Sequence, residues 1–173
     1  MHLEQGNVRA RSASSIESLT IRPLLASEIP ALAASIEEMS AAQFENRWRE
    51  QENGYRELLV AELDGELVGT VSIRHSIAQQ ALHLFALEVG LSWRRRGVGS
   101  AIVAHVLEEA RRRRLRSVYL EVRVDNPARK LYHRLGFRRV GKPFLNAWWR
   151  FGDDGSQRRV EELSFRMVRR VSR

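Results

Sequence analysis

The sequence predicts a single α/β (α+β) domain in which helices cover both faces of a mixed, mostly antiparallel sheet of six to seven strands. Two runs rich in β-branched and apolar residues are joined by Asp64-Gly65, a strong hairpin signal. The run from Leu82 to Val89 is apolar at both alternating sets of positions, which is typical of a central strand covered on both faces. A helix and a further strand follow it, so this part predicts a central βαβ unit with parallel strands.

The first half of the chain divides into a leader and a series of short elements. Residues 1–18 lack periodicity and predict a flexible N-terminal leader, whereas residues 19–173 predict the single folded domain. Ser27 is the expected N-cap of the first helix, because its hydroxyl can accept from an unpaired N–H of the first turn. In order, the predicted elements are a strand over 19–22 ended by Pro23, helices over 27–39 and 40–51, hairpin strands over 58–63 and 67–73, and the central strand over 82–89.

The second half begins with an amphipathic helix over 97–110, whose apolar residues recur at helical spacing. Arginines follow it from Arg111 to Arg114, where cations suit the negative end of a helix. Beyond it, the sequence predicts a strand over 118–124, a short helix over 127–135, a strand over 137–140, a loop marked by Gly152-Asp153-Asp154-Gly155, and a last strand over 160–168.

Composition limits the chemistry that is available. The 173 residues, 43% of them hydrophobic, suit one core. Cysteine is absent, which excludes disulfides, zinc–thiolate sites and a cysteine nucleophile. The net charge is +8 and 27 of the 29 basic residues are arginine, a pattern that fits either an anionic ligand or the codon usage of a GC-rich genome. With no apolar run near 20 residues and no secretory signal, the expectation is a cytoplasmic protein without a membrane span.

The segment Arg94-Arg95-Arg96-Gly97-Val98-Gly99-Ser100 lies between the central strand and the amphipathic helix. The first N–H groups of a helix have no internal acceptors and carry partial positive charge, so they can hold a phosphate. Glycines allow the anion to approach closely, and the arginines add charge. The order of glycines matches neither a Walker loop nor the dinucleotide fingerprint. The segment therefore predicts a phosphate cradle of another kind.

Two motifs resemble those of a known family. The stretch from Val89 to Gly99 resembles the acyl-CoA signature of the GNAT superfamily of N-acetyltransferases, whose core is Q/R-x-x-G-x-G/A. Asn126-Pro-Ala-Arg-Lys-Leu-Tyr132, followed by Leu-Gly-Phe, resembles its second signature. The resemblance covers roughly residues 19–168. The second motif is one residue shorter than usual, so either Asn126 or Asp125 takes the place of the family's asparagine.

This resemblance implies an acetyl-CoA-dependent N-acetyltransferase that uses no metal. It implies transfer to a primary amine of a small molecule, protein or peptide, and the absence of cysteine favours direct attack in a ternary complex. The Val89 N–H would face the thioester oxygen, and Tyr132 would protonate the leaving thiolate. The implied CoA-binding residues are Leu87 and Val89, whose main chain would pair with the pantetheine arm, the cradle residues Arg94, Arg95, Arg96, Gly97, Val98, Gly99 and Ser100, and Asn126 and Tyr132.

The base that takes the amine proton has three candidates. His83 lies on the central strand, and its ordinary pKa near 6.5 suits the task. Glu88 is the second, although strand alternation puts it on the opposite face from His83 unless a bulge intervenes. Gly90 is the expected position of such a local bulge. Glu121 is the third candidate, and water could relay the proton to any of them.

The acceptor side and the partners remain open at this point. Aromatic residues in Ala147 to Phe151, expected in a loop, can line an acceptor pocket, form a homodimer interface or cover the sheet edge. A catalytically degenerate acyl-CoA-binding module is the alternative function. Nucleic acid is not favoured as a partner, because the cluster from Arg111 to Arg116 lacks interleaved aromatics and is typical of a solvated helix end.

Overall fold

The computed structural model describes residues 16–171. Their strands are β1 (Thr20–Pro23), β2 (Glu57–Leu63), β3 (Glu66–Ser76), β4 (Ala81–Val89), β5 (Ser117–Arg123), β6 (Arg138–Phe151) and β7 (Gln157–Arg170). Their α-helices are α1 (Ile29–Ser35), α2 (Ala41–Glu52), α3 (Val98–Arg112) and α4 (Arg129–Arg134). Short 3-10 turns cover Ile16–Ser18, Ala26–Glu28 and Leu91–Trp93.

The seven strands form one sheet in the order β1-β2-β3-β4-β5-β7-β6. The pair β4 and β5 is parallel, and the remaining neighbours are antiparallel. The predicted mixed sheet with its central βαβ unit is therefore confirmed. The hairpin at Asp64-Gly65 also forms, with both residues at positive φ.

Helices cover both faces, as predicted, and each face has its own core. Leu58 and Val60 of β2 pack with α1 and α2, whereas Leu59 and Ala61 pack on the side of α3. This alternation follows from the two-residue period of a strand. The apolar stripe of α3 is buried along its length, and each large side chain buried there contributes roughly 1.5–3 kcal/mol.

The first helix is shorter than predicted, and Ser27 is not its N-cap. Ser27 lies in a 3-10 turn, and α1 ends at Ser35 rather than at Met39. The hydroxyl of Ser35 donates to the carbonyl of Leu67 on β3, and Ile36 leaves the helical conformation at φ −106 and ψ 83. The helix therefore ends at a tertiary contact, although the spacing of its apolar residues predicts a longer helix. At the start of α2, Ser40 forms a capping box with Gln43.

The last two strands are much longer than predicted, at 14 residues each. The aromatic residues from Trp148 to Phe151, expected in a loop, lie on β6 and pair with β7. The sequence signal was weak because most of β6 is exposed on both faces, so apolar and polar residues do not alternate there. A shift of register between Val140 and Phe144 further breaks the pattern.

The N-terminal boundary lies slightly earlier than the sequence indicated. Ile16–Ser18 form a 3-10 turn within the predicted leader, and residues 1–15 of that leader lie outside the described residues. Among residues 16–171, no helix combines the length and the apolar character that crossing a membrane would require.

Candidate functional site

A cleft opens where the two parallel strands separate. Strands β4 and β5 pair only from Ala81 to His83 and from Ser117 to Tyr119. Beyond these residues the strands diverge around a cavity of about 300 Å³. It is lined by Leu84, Phe85, Ala86, Leu87, Leu120, Glu121, Val122, Arg123, Asn126, Tyr132 and Glu162.

A β-bulge on β4 accompanies this separation. Ser72 of β3 lies opposite Phe85 and Thr70 lies opposite Glu88, so β4 has one extra residue in this interval. Ala86 within it has φ +50, the left-handed conformation that side chains rarely adopt. The expected bulge therefore exists, but it lies at Ala86 and not at Gly90. Its effect is to bend β4 away from the ladder it shared with β5.

The bulge also changes the face on which Glu88 lies. Because Thr70 and Ser72 share a face of β3, their partners Glu88 and Phe85 share the corresponding face of β4. Glu88 therefore lies on the face of α1 and α2. There the guanidinium of Arg47 on α2 contacts both of its carboxylate oxygens, at 2.6 and 2.8 Å. Both oxygens of Glu88 are thus engaged in one bidentate ion pair.

The predicted phosphate cradle lies at the start of α3. Gly97 precedes the helix at φ +89, a conformation that favours glycine. The first intrahelical bond runs from the Ala101 N–H to the Gly97 carbonyl at 3.0 Å. The amides of Val98, Gly99 and Ser100 therefore have no acceptor within the helix and are available to an anion.

Gly99 faces the gap between α3, α4 and the end of β4. A Cβ atom at this position would lie 3.5 Å from Leu131 Cδ2 and 3.9 Å from Val89 Cγ2. These are ordinary contact distances. The start of α3 is therefore close to α4 and to β4, but neither Leu131 nor Val89 fills the space at Gly99. Gly99, in the first turn of α3, therefore lies next to α4 and to the end of β4.

The cradle arginines are held in different ways. Nε of Arg94 donates to the Val89 carbonyl at 3.0 Å, and its Nη2 lies 2.7 Å from Glu38. The Arg96 guanidinium lies over the Trp93 ring at 5.2 Å. Arg94 thus ties the turn to the end of β4 and to the segment between α1 and α2. Arg95 has φ +64, so it contributes to the tight turn as well as charge.

Gly90 permits a close approach between α1 and the end of β4. A Cβ atom there would lie 2.5 Å from the Ser35 carbonyl oxygen. The Gly90 N–H donates to the Val68 carbonyl on β3 at 3.0 Å. Since successive amides of a strand point to opposite sides, the Val89 amide lies on the side away from β3, which is the side of the cleft.

Tyr132 and Asn126 reach the cleft from the second motif. Tyr132 is 7% exposed and packs edge-on against Phe137. Burial raises the pKa of Tyr132 to about 12. The Asn126 side chain accepts from the Ala128 N–H at 2.9 Å and lines the cleft. Asp125 instead pairs with Arg123 and is not among the lining residues, so the geometry brings Asn126 rather than Asp125 to the site.

His83 and Glu121 form a buried pair between the same two strands. His83 Nε2 lies 2.5 Å from Glu121 Oε2, and the ring stacks between Phe85 and Tyr119. The other ring nitrogen, Nδ1, lies 3.4 Å from Nη2 of Arg74. Glu121 lines the cleft, whereas His83 lies behind it.

The environment of Glu121 favours its ionised form. Burial opposes ionisation, but the contacts with His83 and Arg166 outweigh burial and lower the pKa of Glu121. Arg166 on β7 donates to Glu121 Oε1 at 2.9 Å from Nη2. The sequence did not point to Arg47, Arg166 or Glu162 as site residues. They are ordinary charged residues of α2 and β7, and only the pairing of elements brings Glu162 to the cleft and the two arginines to Glu88 and Glu121.

The face that bears α1 and α2 is partly closed by the tip of the β6–β7 hairpin. Ser40 Oγ donates to Asp153 Oδ1 at 2.5 Å, and Gln43 Nε2 donates to the Phe151 carbonyl at 3.3 Å. Phe44 of α2 is fully buried in the core, whereas Trp149, one of the aromatics expected in a loop, is 58% exposed on β6. The hairpin tip is thus tied to the start of α2.

Comparison with known proteins agrees with this geometry. The acetyltransferase (GNAT) family matches residues 22–137. N-acetyltransferase 8B of Homo sapiens is 33% identical over 99 residues, which are 54% of this chain and 44% of that protein. The matched segment thus spans less than half the length of this curated relative.

Solved structures show the same fold over most of the chain. The ribosomal-protein-alanine N-acetyltransferase of Brucella melitensis is 26% identical with a TM-score of 0.61, over 87% of this chain and 99% of that one. The yncA protein of Salmonella typhimurium, solved with its cofactor acetyl-CoA, is 17% identical with a TM-score of 0.64, over 90% and 95%. The family match, covering two thirds of the sequence, and the shared fold together show that the chain belongs to the GNAT acetyltransferase family.

Proposed function

We propose that this protein transfers an acetyl group from acetyl-CoA directly to a primary amine bound in the same complex. The observation that carries the proposal is the cleft between the diverging strands, which is lined by β4 and by Tyr132 and which accompanies a helix α3 whose first amides are unpaired and lie next to the end of β4. Family membership supports the same chemistry. The identity of the amine is left to experiment.

The chain's own residues fit an acyl-CoA at this place. The cradle amides suit a pyrophosphate, and the cleft side of β4 at Leu87 and Val89 offers main-chain groups to the amides of a pantetheine arm. When bound, acetyl-CoA supplies the activated thioester. Asn126 and Tyr132 line the part of the cleft that faces β4.

Acetyl transfer requires a bond from the amine nitrogen to the acetyl carbon and cleavage of the carbon–sulfur bond. The Val89 N–H is the donor on β4 that can stabilise negative charge on the acetyl oxygen. Tyr132 is protonated at neutral pH, as any tyrosine with a pKa of about 10 or higher is, so its hydroxyl can donate to the departing sulfur. The amine proton must leave to a base on the other side of the cleft.

Glu121 is the base that the geometry favours. Both carboxylates are paired, Glu121 with His83 and Arg166 and Glu88 with Arg47, but of the two only Glu121 lines the cleft. His83 contacts Glu121 from behind and acts as a positioning residue that orients the carboxylate. Water can complete the path between the amine and Glu121.

The test is release of free CoA thiol with a panel of amines that includes small amines and a peptide with an N-terminal alanine. We expect at least one acceptor to raise thiol release well above the rate with acetyl-CoA alone. Tyr132→Phe should lower kcat with little change in the Kd for acetyl-CoA. A protein that binds acetyl-CoA but acetylates no amine would support the acyl-CoA-binding module instead.

Glu121→Gln and His83→Gln separate the base from the residue that positions it. We expect Glu121→Gln to lower kcat most strongly, whereas His83→Gln, which keeps a donor toward Glu121, should retain part of it. Arg47→Gln is a matched control, because it frees Glu88 without touching Glu121. Full activity of Glu121→Gln together with loss in Glu88→Gln would assign the base to Glu88.

A further inference from the structure

The positive charge of this protein is concentrated in its last 48 residues. Residues 126–173 contain 13 of the 29 basic residues but four of the 21 acidic ones, so they carry +9 while the first 125 residues carry −1. From Asn126 to Gly152 there is no acidic residue at all. The whole excess charge therefore belongs to α4 and the β6–β7 hairpin.

The structure gathers part of this charge along one border of the sheet. We call this surface the basic edge. It consists of Lys130, Arg134, Arg138, Arg139, Lys142 and Arg170, all exposed. The register places Arg138 opposite Val168, two residues before Arg170 on β7. Arg138 also donates to the carbonyl of His133 in α4, which connects the helix to the strand.

These cations have no carboxylate partner within ion-pair distance among residues 16–171. Where they bond, they donate to main-chain carbonyls: Arg138 to Phe137 and His133, and Arg139 to Gly141. Such bonds hold the guanidinium in place but leave its charge uncompensated. An external anion could therefore bind without first breaking an ion pair.

The other arginine cluster behaves differently. At the end of α3, Arg111 pairs with Glu108, and Arg113 pairs with both Glu57 and Glu109 at 2.6 Å. Arg112 also contacts Glu109. The sequence directed attention to this cluster, yet its charge is largely neutralised. On the basic edge, in contrast, the cations have no carboxylate partner among the described residues and can bind an external anion.

The shape of the basic edge favours an extended anion. Strand β6 is the last strand of the sheet, and Arg138 and Arg150 lie opposite Val168 and Arg158 of β7, which are ten steps or about 33 Å apart at roughly 3.3 Å per residue. At the far end, Arg150 lies opposite Arg158. Trp149 lies beside them, 58% exposed. Cations near both ends of this edge strand, with an exposed aromatic ring close to one of them, suit phosphates that recur along a chain and bases that stack.

We propose that the basic edge and Trp149 bind single-stranded nucleic acid. Arginine and lysine along β6 and α4 would contact phosphates, and Trp149 would stack on a base. This binding is separate from acetyl transfer, because none of the basic-edge residues lines the cleft. It would hold the enzyme near acceptor amines that are themselves bound to nucleic acid.

The experiment is fluorescence anisotropy of the full chain with labelled 20-nucleotide single-stranded RNA and DNA across a salt series. Arg134→Gln, Arg138→Gln and Lys142→Gln are combined in one variant. The matched control combines Arg111→Gln, Arg112→Gln and Arg114→Gln, which changes net charge equally. Acetyl-CoA affinity and circular dichroism establish that each variant is folded.

We expect the basic-edge variant to bind about tenfold more weakly or worse, and its plot of log K against log salt to flatten by about 2, since each phosphate contact contributes roughly 0.7 for a single strand. Trp149→Ala should weaken binding roughly tenfold, because stacking is lost. The RNA and DNA arms show which polymer binds more tightly.

Equal weakening by the control variant would overturn the proposal, because net charge alone would then account for binding. Equal affinity for a poly-glutamate peptide or for vesicles with anionic headgroups would overturn it as well, and would assign the surface to an acidic protein or a membrane. Loss of nucleic-acid binding with unchanged thiol release would leave the proposed acetyl transfer standing.

Discussion

Substitution of Gly99 should change the binding of an anion at the proposed phosphate cradle without lowering the stability of the fold. In Gly99→Glu, the new Cβ atom meets Leu131 and Val89 at ordinary contact distances, so α3 should still form. A carboxylate in the first turn of a helix is even stabilising, by about 0.3–1 kcal/mol. We therefore expect the free energy of unfolding to stay constant or rise slightly.

The effect on acetyl-CoA should be opposite in sign. A carboxylate about 5 Å from one phosphate charge costs about 3 kcal/mol at an effective dielectric constant of about 20, which is roughly a 150-fold loss of affinity. Gly99→Gln is the control, because it adds nearly the same bulk without the charge. The difference between the two variants should shrink at high salt.

Isothermal titration calorimetry with acetyl-CoA and with CoA measures this effect, and urea unfolding measures stability. Equal dissociation constants for Gly99→Glu and Gly99→Gln would refute the reasoning, because an anion held by the α3 amides must respond to a charge placed among them. A loss of affinity that accompanied global destabilisation would point to a folding defect instead.

Three further predictions follow from the geometry of the site. Gly90→Ala should lower the free energy of unfolding by about 1–3 kcal/mol in urea denaturation, because its Cβ would meet the Ser35 carbonyl at 2.5 Å; Gly99→Ala should cause no such loss. Raising the pH from about 10 to 12 should destabilise the wild type more than Tyr132→Phe, by roughly 2 kcal/mol, since burial raises the pKa of Tyr132 to about 12 and the unfolded chain ionises first; parallel alkaline unfolding curves would contradict this. The pKa of Glu121 is lower in the folded chain than the ordinary glutamate value. Its ionised carboxylate therefore stabilises the folded chain above that ordinary value, and this stabilisation is lost as the pH falls through the folded pKa. We expect Glu121→Gln to flatten acid unfolding below about pH 4.5, measured by circular dichroism.

Much of the candidate site is readable from local sequence because its parts are local. The cradle needs a glycine-rich turn followed directly by a helix, and Gly97 and α3 are adjacent in the chain. The position of Tyr132 in a short helix after the parallel strand is likewise a matter of spacing. Asn126 and Asp125 could not be separated this way, because the choice depends on which side chain turns into the cleft.

The β-bulge is the part that local patterns misplaced. Side chains of a strand alternate between its two faces as long as the register with the neighbouring strand is regular, so the sequence predicts Glu88 on the face opposite to that of His83. One extra residue at Ala86 reverses that alternation, and no glycine marks it. The bulge depends on what β3, β5 and α2 offer as neighbours, including Arg47, which binds Glu88 across 41 positions of sequence.

By itself the sequence determined the fold family, the hairpin, the parallel pair and the helix that starts with unpaired amides, because each depends on the spacing of a few adjacent residues. Tertiary structure alone decided that β4 and β5 separate, that Glu121 rather than His83 lines the cleft, and that the free positive charge lies on β6 and α4. These properties depend on which residues far apart in the sequence come into contact, because the energy of a charged group or of a strand edge depends on the group that it contacts.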